Sequence, residues 1–305
     1  MAMPILSVKH VTSYHYHRPV TFGEHRMMLR PRDDDDQRLL QSELEITPKP
    51  RELVWGRDRF GNHVAIAHFT RRSDQVCFIS TLRVEHAPNG FHEEDIEDYA
   101  RVYPFSYTAG DRFRLRPFIL TVSPQPALKR WSDQFFGSDG SADIYALLVD
   151  MTLTIRRTFR HLARHEKGVQ DPVRTIALGS GSCRDLAILM IAALRLRGIA
   201  ARFVSGYMHL AEDGYQEDGR PIAGGNTHAW VQVYVPGPGW VDFDPSAGGV
   251  GNRNLIRVAA VHDARDAIPV QGTWYGSASD HLGMKVAVKV RNELNQETYA
   301  RSFSC

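Results

Sequence analysis

An α+β fold is predicted, sheet first and helices second, from three features of the sequence. Between residues 6 and 86 apolar and polar residues alternate in strand-length runs separated by turn formers. From residue 126 to 158 the apolar residues recur instead at three- and four-residue steps, the period of a helix with one buried face. Residues 186–194 then run without a polar side chain, behind a glycine-rich turn and ahead of a strand and a hairpin.

The strand-like runs of the first part are residues 7–17, 24–30, 39–46, 63–69 and 75–84. Proline, glycine and aspartate punctuate them at 31–36, 48–50 and 61–62, so this part is expected to be an antiparallel β-sandwich or a similar layered sheet. His15 and His17 share a strand face as a His-x-His pair, but no third ligand is placed beside them, which favours two strand histidines over a metal site. Asp33, Asp34, Asp35 and Asp36 lack the alternating ligands and the glycine of a calcium loop, and read as a solvated acidic turn.

Residues 88–101 are polar and turn-like and mark the boundary region; the chain divides at 1–95 and 96–305, with the tail, 281–305, expected to return to the N-terminal sheet. Helices are expected over 126–136 and 141–158, the second carrying Ile144, Leu147, Leu148, Met151 and Ile155. Asp171 and Pro172 open a short helix, in the N-cap and first-turn positions, that ends near Leu178.

The next helix begins at Cys183. Ser182 and Asp185 fit a capping box with aspartate in place of Glu or Gln, Gly198 supplies the stop, and Arg195 and Arg197 suit the negative end of the dipole. A thiol at a helix head faces unpaired N–H groups and positive potential, both favouring the nucleophilic thiolate; a cysteine is also a common buried hydrophobe, so a partner base must decide between the readings. Cys77 lies in a strand-like run and reads as packing, and Cys305 is the last residue. With three cysteines and no Cys-x-x-Cys spacing, neither a disulfide framework nor a structural zinc site is expected.

A strand at 200–209 and a polar, glycine-containing stretch at 211–225 lead to a hairpin. Its first strand alternates Ala229, Val231, Val233 and Val235 with His228, Trp230, Gln232 and Tyr234; its second puts Trp240, Asp242 and Asp244 on one face. A five-residue turn from Val235 to Gly239 pairs Tyr234 with Trp240 and makes His228 and Asp244 diagonal neighbours, roughly 7–8 Å apart at Cα. A four-residue turn without a bulge would set them on opposite faces. Nucleophilic catalysis by a thiolate needs an imidazole to hold its proton and a carboxylate to fix the imidazole, and Cys183, His228 and Asp244 meet that need in that order.

Four blocks carry a family resemblance: 181–185 (GSCRD), 197–207 (RGIAARFVSGY), 227–234 (THAWVQVY) and 239–246 (GWVDFDPS). In order and spacing they resemble the transglutaminase-like superfamily of papain-type cysteine enzymes. Residues 14–32 with 58–62 are similar to the N-terminal β domain of bacterial transglutaminase-like proteins, and 258–276 to their tail. The resemblance implies a papain-like core with its catalytic helix packed on an antiparallel sheet, Cys183 as nucleophile, His228 as base and Asp244 as orienting acid. Asp242 is the rival for the acid, but the family block favours Asp244. Gln232 stands where many relatives have Glu, and Ser246 where many have Thr. Asp185 is expected to brace the turn, and Trp230 and Trp240 to pack the core or shield the site.

The implied activity is acyl transfer at amide bonds through a thioester, with water as acceptor in a peptidase or amidase and an amine in a transglutaminase. Hydrolysis is favoured because bacterial members of this type are usually described as cysteine proteases. The rival class is a binding or scaffold protein on the same core. A metallohydrolase lacks its His-Glu-x-x-His or paired-cysteine signature, so no metal or cofactor is expected. The expected partner is a peptide or protein substrate. With 37 basic and 35 acidic residues and a net charge of +2, the chain has no basic stripe for nucleic acid. No leader pattern or membrane-length apolar run is present in the sequence, which makes a cytoplasmic protein the expectation and membrane association not.

Overall fold

The computed structural model describes residues 3–120, 125–164, 168–209 and 227–293. Five strands come first: β1 (Ile5–Met27), β2 (Gln37–Thr47), β3 (Glu52–Arg57), β4 (His63–His68) and β5 (Ser73–His86). β1 absorbs two expected strands in one element. Its first half lies between β5 and the C-terminal strand; past an irregularity between His15 and Val20, its second half pairs with β4. The strand thereby belongs to two layers, which enclose Tyr16, Phe22, Met27, Ala65, Val76 and Phe78. β3, with its exposed Val54 and Trp55, lacks the half-buried alternation by which the other strands were legible.

The connecting region holds β6 (Val102–Tyr103), α1 (Ala109–Ile119), α2 (Pro126–Asp133), β7 (Ala142–Asp143), α3 (Ile144–Thr158), β8 (Arg160–His161), α4 (Pro172–Leu178) and β9 (Ser180–Gly181). The expectations for α2, α3 and α4 hold to within a few residues. α1 was not expected: it contains Pro117, and Leu115 is its one buried residue, so it carries no apolar stripe. Thr108 caps it by accepting from the Asp111 N–H at 3.2 Å.

Next come α5 (Cys183–Leu196), β10 (Ala201–Met208), β11 (Thr227–Val235), β12 (Gly239–Asp244), β13 (Gly249–Val250) and β14 (Leu255–Val261). These strands form a five-stranded antiparallel sheet in the order β13-β12-β11-β10-β14. α5 lies on it, with Leu186, Ala187, Met190 and Ile191 packed in the same cluster as Ala229, Val231 and Val233. The helix is apolar nearly all round because α2, α3 and α4 cover its other sides.

β15 (Val270–Tyr275) and β16 (His281–Asn292) carry the chain back, both pairing with β1. Leu6, Val8, Leu82 and Val84 of the first sheet pack on Tyr207, Ile256 and Val258 of the second. Asn62 clamps the same junction, donating to the Ala260 carbonyl and accepting from its N–H, both at 3.0 Å. The head of α5 therefore faces a junction of two sheets fixed to each other.

Candidate active site

α5 starts where it does because the capping box forms. The Asp185 carboxylate accepts the Ser182 N–H and hydroxyl at 2.8 Å each, and Cys183 is the first helical residue. Asp185 is fully buried and accepts also from the Gln170 N–H at 2.6 Å and from Arg164 Nε at 2.6 Å. Burial raises its pKa, but the Arg164 hydrogen bond and those from Gln170 and Ser182 hold it below the usual carboxylate range. It braces the turn below the thiol, the part expected of it.

β11 and β12 pair with Tyr234 opposite Trp240 and Gln232 opposite Asp242, the register required to bring His228 beside Asp244. His228 Nε2 donates to Asp244 Oδ2 at 2.6 Å. The other Asp244 oxygen accepts from the Ser246 N–H at 2.9 Å, the Ser246 hydroxyl at 2.8 Å and the Ala247 N–H at 3.1 Å. Nδ1 is thereby the imidazole nitrogen left to face Cys183, which lines the same cleft as His228. The three residues expected from the sequence are brought together, His228 and Asp244 buried and Cys183 partly open.

Electrostatics follow from this chain of contacts. Burial alone would raise the Cys183 thiol, but hydrogen bonds and positive potential from His161 and His228 outweigh it and lower the pKa to about 6. Burial likewise would lower His228, but the Asp244 carboxylate and its hydrogen bond, with Cys183 behind them, raise it to about 10. Asp244 is held low by His228, Ser246 and Ala247 against the effect of its own burial. Both shifts run in the direction that favours a thiolate beside an imidazolium, the form in which a cysteine is nucleophilic.

His161 was not foreseen. β8 pairs in parallel with β9, Leu162 N donating to Gly181 O at 2.9 Å, and this lays His161 opposite Gly181, beside the thiol. A lone histidine in a two-residue strand carries no sequence signal.

Asp242 is occupied elsewhere. It accepts from Trp230 Nε1, from Gln232 Nε2 at 3.2 Å and from Arg257 Nη1 at 3.3 Å. Gln232 also accepts from Arg202 Nε at 2.8 Å, so it belongs to this buried network and not to the substrate side. Arg257 reaches on to Asp36 at 2.6 Å and Asp34 at 3.1 Å. The acidic turn is thus more than solvated, for two of its carboxylates neutralise a buried guanidinium. Trp230 is buried and stacks on His228, ring centroids 6.2 Å apart. Trp240 packs on Tyr234, Phe118 and the Arg202 guanidinium, away from the thiol. His15 meets Ser13 at 3.0 Å.

Among the described residues no group of three or more His, Cys, Asp and Glu is arranged to hold a metal ion, and no helix is long and apolar enough to cross a membrane. Cys305 and the polar stretch at 211–225 lie outside the described residues. A cleft of about 230 Å³ opens over Cys183 and His228; its far wall comes from β1 and β16, with Tyr14, Met284 and Val286, and from Val270 of β15.

Comparison with known proteins adds the following. Residues 6–85 match the family described as the bacterial transglutaminase-like N-terminal region, and residues 138–245 the transglutaminase-like superfamily; Cys183, His228 and Asp244 all fall in the second match. Uncharacterized proteins of Mycobacterium tuberculosis and Mycobacterium bovis are each 28% identical over 297 residues, spanning 90% of this chain and 89% of the relative. The crystal structure of a candidate cysteine protease from Cytophaga hutchinsonii is similar with a TM-score of 0.72 at 20% identity, over 96% of this chain and 92% of that one. That likeness extends the shared fold across both sheets.

Proposed function

We propose, from the match of residues 138–245 to the transglutaminase-like superfamily and of residues 6–85 to the bacterial transglutaminase-like N-terminal region, that the chain is a cysteine hydrolase of amide bonds in a peptide or protein. The observation that carries the reading is that Cys183 and His228 line one cleft and Asp244 holds His228 from behind, with the thiol drawn down to about 6. In this reading the Cys183 thiolate attacks the amide carbonyl and the C–N bond breaks. The His228 imidazolium gives its proton to the departing amine, leaving a thioester and a neutral imidazole. His228 then takes a proton from water as that water adds to the thioester carbonyl; the C–S bond breaks, the acid departs and the sulfur leaves as the thiolate, which restores the ion pair. The Cys183 backbone N–H, unpaired at the helix head, is the oxyanion donor.

Water as acceptor separates this reading from transglutamination, in which an amine resolves the same thioester. The candidate protease of similar fold favours water. A cytoplasmic setting, where the thiol stays reduced, belongs to the same reading.

The test is incubation with a glutamine-containing peptide library and a fluorescent primary amine. Released ammonia or cleaved peptide without amine incorporation is the expected result; covalent incorporation would replace hydrolase by transferase. Full activity in Cys183→Ala would remove Cys183 as the nucleophile and overturn the reading.

A further inference from the structure

We infer that the acyl group accepted by Cys183 carries an uncharged, apolar side chain, seated between the head of α5 and the wall that β1 and β16 build over it. The inference rests on the acyl-transfer reading and adds the substrate class. No Asp or Glu is among the described residues lining the cleft, and Ile268, Pro269, Val270, Met284 and Val286 make its far side apolar. Arg184 brings the one permanent charge, and its guanidinium is committed: Nη2 donates to the Ala264 carbonyl at 2.8 Å and the group lies 5.0 Å from the Phe203 ring centre. His10 adds no charge. Its Nδ1 meets the Tyr207 hydroxyl and its Nε2 the Thr12 hydroxyl, both at 2.9 Å, and burial lowers it to about 4.

The second observation lies on β16. Alternate residues of a strand share a face, and in the regular part of β16 one face carries Met284, Val286, Val288 and Val290. Val288 and Val290 pack against the cluster of Tyr207 and Ile256. Met284 and Val286 are 54% and 46% exposed, and both line the cleft that holds the thiol. An exposed apolar row continuous with a reactive cleft marks a binding surface. Its continuity with Cys183 commits it to the substrate that the thiol attacks.

A set of iodoacetamides tests this without requiring turnover. Cys183 is alkylated by the parent reagent and by its N-benzyl, N-(2-carboxyethyl) and N-(2-aminoethyl) derivatives, with rates at Cys77 as the internal reference. The benzyl reagent should outpace both charged ones at Cys183 by roughly tenfold or more. Met284→Glu, a change at a half-exposed position, should reverse the order so that the aminoethyl reagent overtakes the benzyl one. Equal rates for the three derivatives alongside fast labelling by the parent reagent would overturn the inference and leave the acyl-transfer reading standing. Parent labelling at Cys183 as slow as at Cys77 would overturn both. Selectivity that vanishes on dilution, with a dimer in sedimentation, would give the apolar row to a second copy and overturn the inference.

Discussion

His228 Nε2 lies 2.6 Å from Asp244 Oδ2, and the opposite oxygen of Asp244 is filled by three donors from Ser246 and Ala247. An amide cannot replace this carboxylate. Turned one way, the Asn NH2 faces three donors; turned the other, it faces the imidazole N–H. Asp244→Asn should cost on the order of 10⁴-fold in kcat/KM, as the same change of the orienting acid does in a serine-protease triad. The thiol midpoint should also move up, measured as the pH dependence of iodoacetamide labelling. A variant with wild-type labelling would reduce Asp244 to packing.

The two shifted groups set a window with opposite signs at its ends. Below about 6 Cys183 takes up its proton and the nucleophile is lost. Above about 10 His228 loses the proton it must give to the leaving amine. kcat/KM for amide hydrolysis should trace a bell between limbs near these values, which belong to the pair as a unit. Alkylation needs only the thiolate and should show the lower limb alone. Two limbs in both assays would contradict the assignment.

His161 contributes to the lower limb through its hydrogen bond to the thiol. His161→Ala should move that limb to higher pH, with labelling at pH 7 falling roughly tenfold for each unit that the midpoint rises above 7. His161→Gln, which keeps a donor, should recover part of the loss. The upper limb, set chiefly by the Asp244 carboxylate beside His228, should move much less in both variants.

How much of this was legible follows from where each contact is encoded. Capping of α5 and the two faces of β11 are local patterns, written in neighbouring residues. The β11–β12 register stays open in the sequence between two turn lengths, and the resemblance of the 239–246 block decides for Asp244, so Cys183, His228 and Asp244 could be named from the sequence. His161 reaches the thiol through a parallel bridge between two-residue strands, and Met284 reaches the cleft only because β16 pairs along β1. The first pairing leaves no periodic trace, and the alternation of β16 marks a strand without saying which side chains reach the cleft. The same holds for Asp34 and Asp36, whose partner Arg257 arrives from β14. Polar contacts over long separations are set by the packing of the two sheets, which no window of sequence contains.

Asp242, one position removed in the alternation, separates structure from chemistry. Its carboxylate joins Trp230, Gln232 and Arg257 in the interior. Asp242→Ala leaves the Trp230 and Gln232 donors unpaired in the interior while Asp34 and Asp36 still hold Arg257, and should cost about 1–3 kcal/mol of stability for each donor, read as a lowered urea midpoint. Labelling of Cys183 in the folded fraction should keep its midpoint near 6. If Asp242→Ala and Asp244→Asn moved the thiol equally, orienting His228 would be work shared by both carboxylates.

Gly206 ties the sheet to the imidazole. It sits opposite His228 in the β10–β11 register. A Cβ there would lie 2.0 Å from the Ile256 carbonyl oxygen and 2.7 Å from the Trp230 ring. The oxygen is backbone and cannot rotate aside, so relief must come from separating β10 from β14 or from shifting Trp230, on which His228 stacks. Overpacking of a buried site costs about 1–3 kcal/mol, and more where backbone must move. Gly206→Ala should therefore lower the melting temperature and, in the protein that remains folded, slow labelling of Cys183 at pH 7. Destabilisation with an unchanged labelling midpoint would mean that the sheet yields on the β14 side and that the imidazole is held by Asp244 alone.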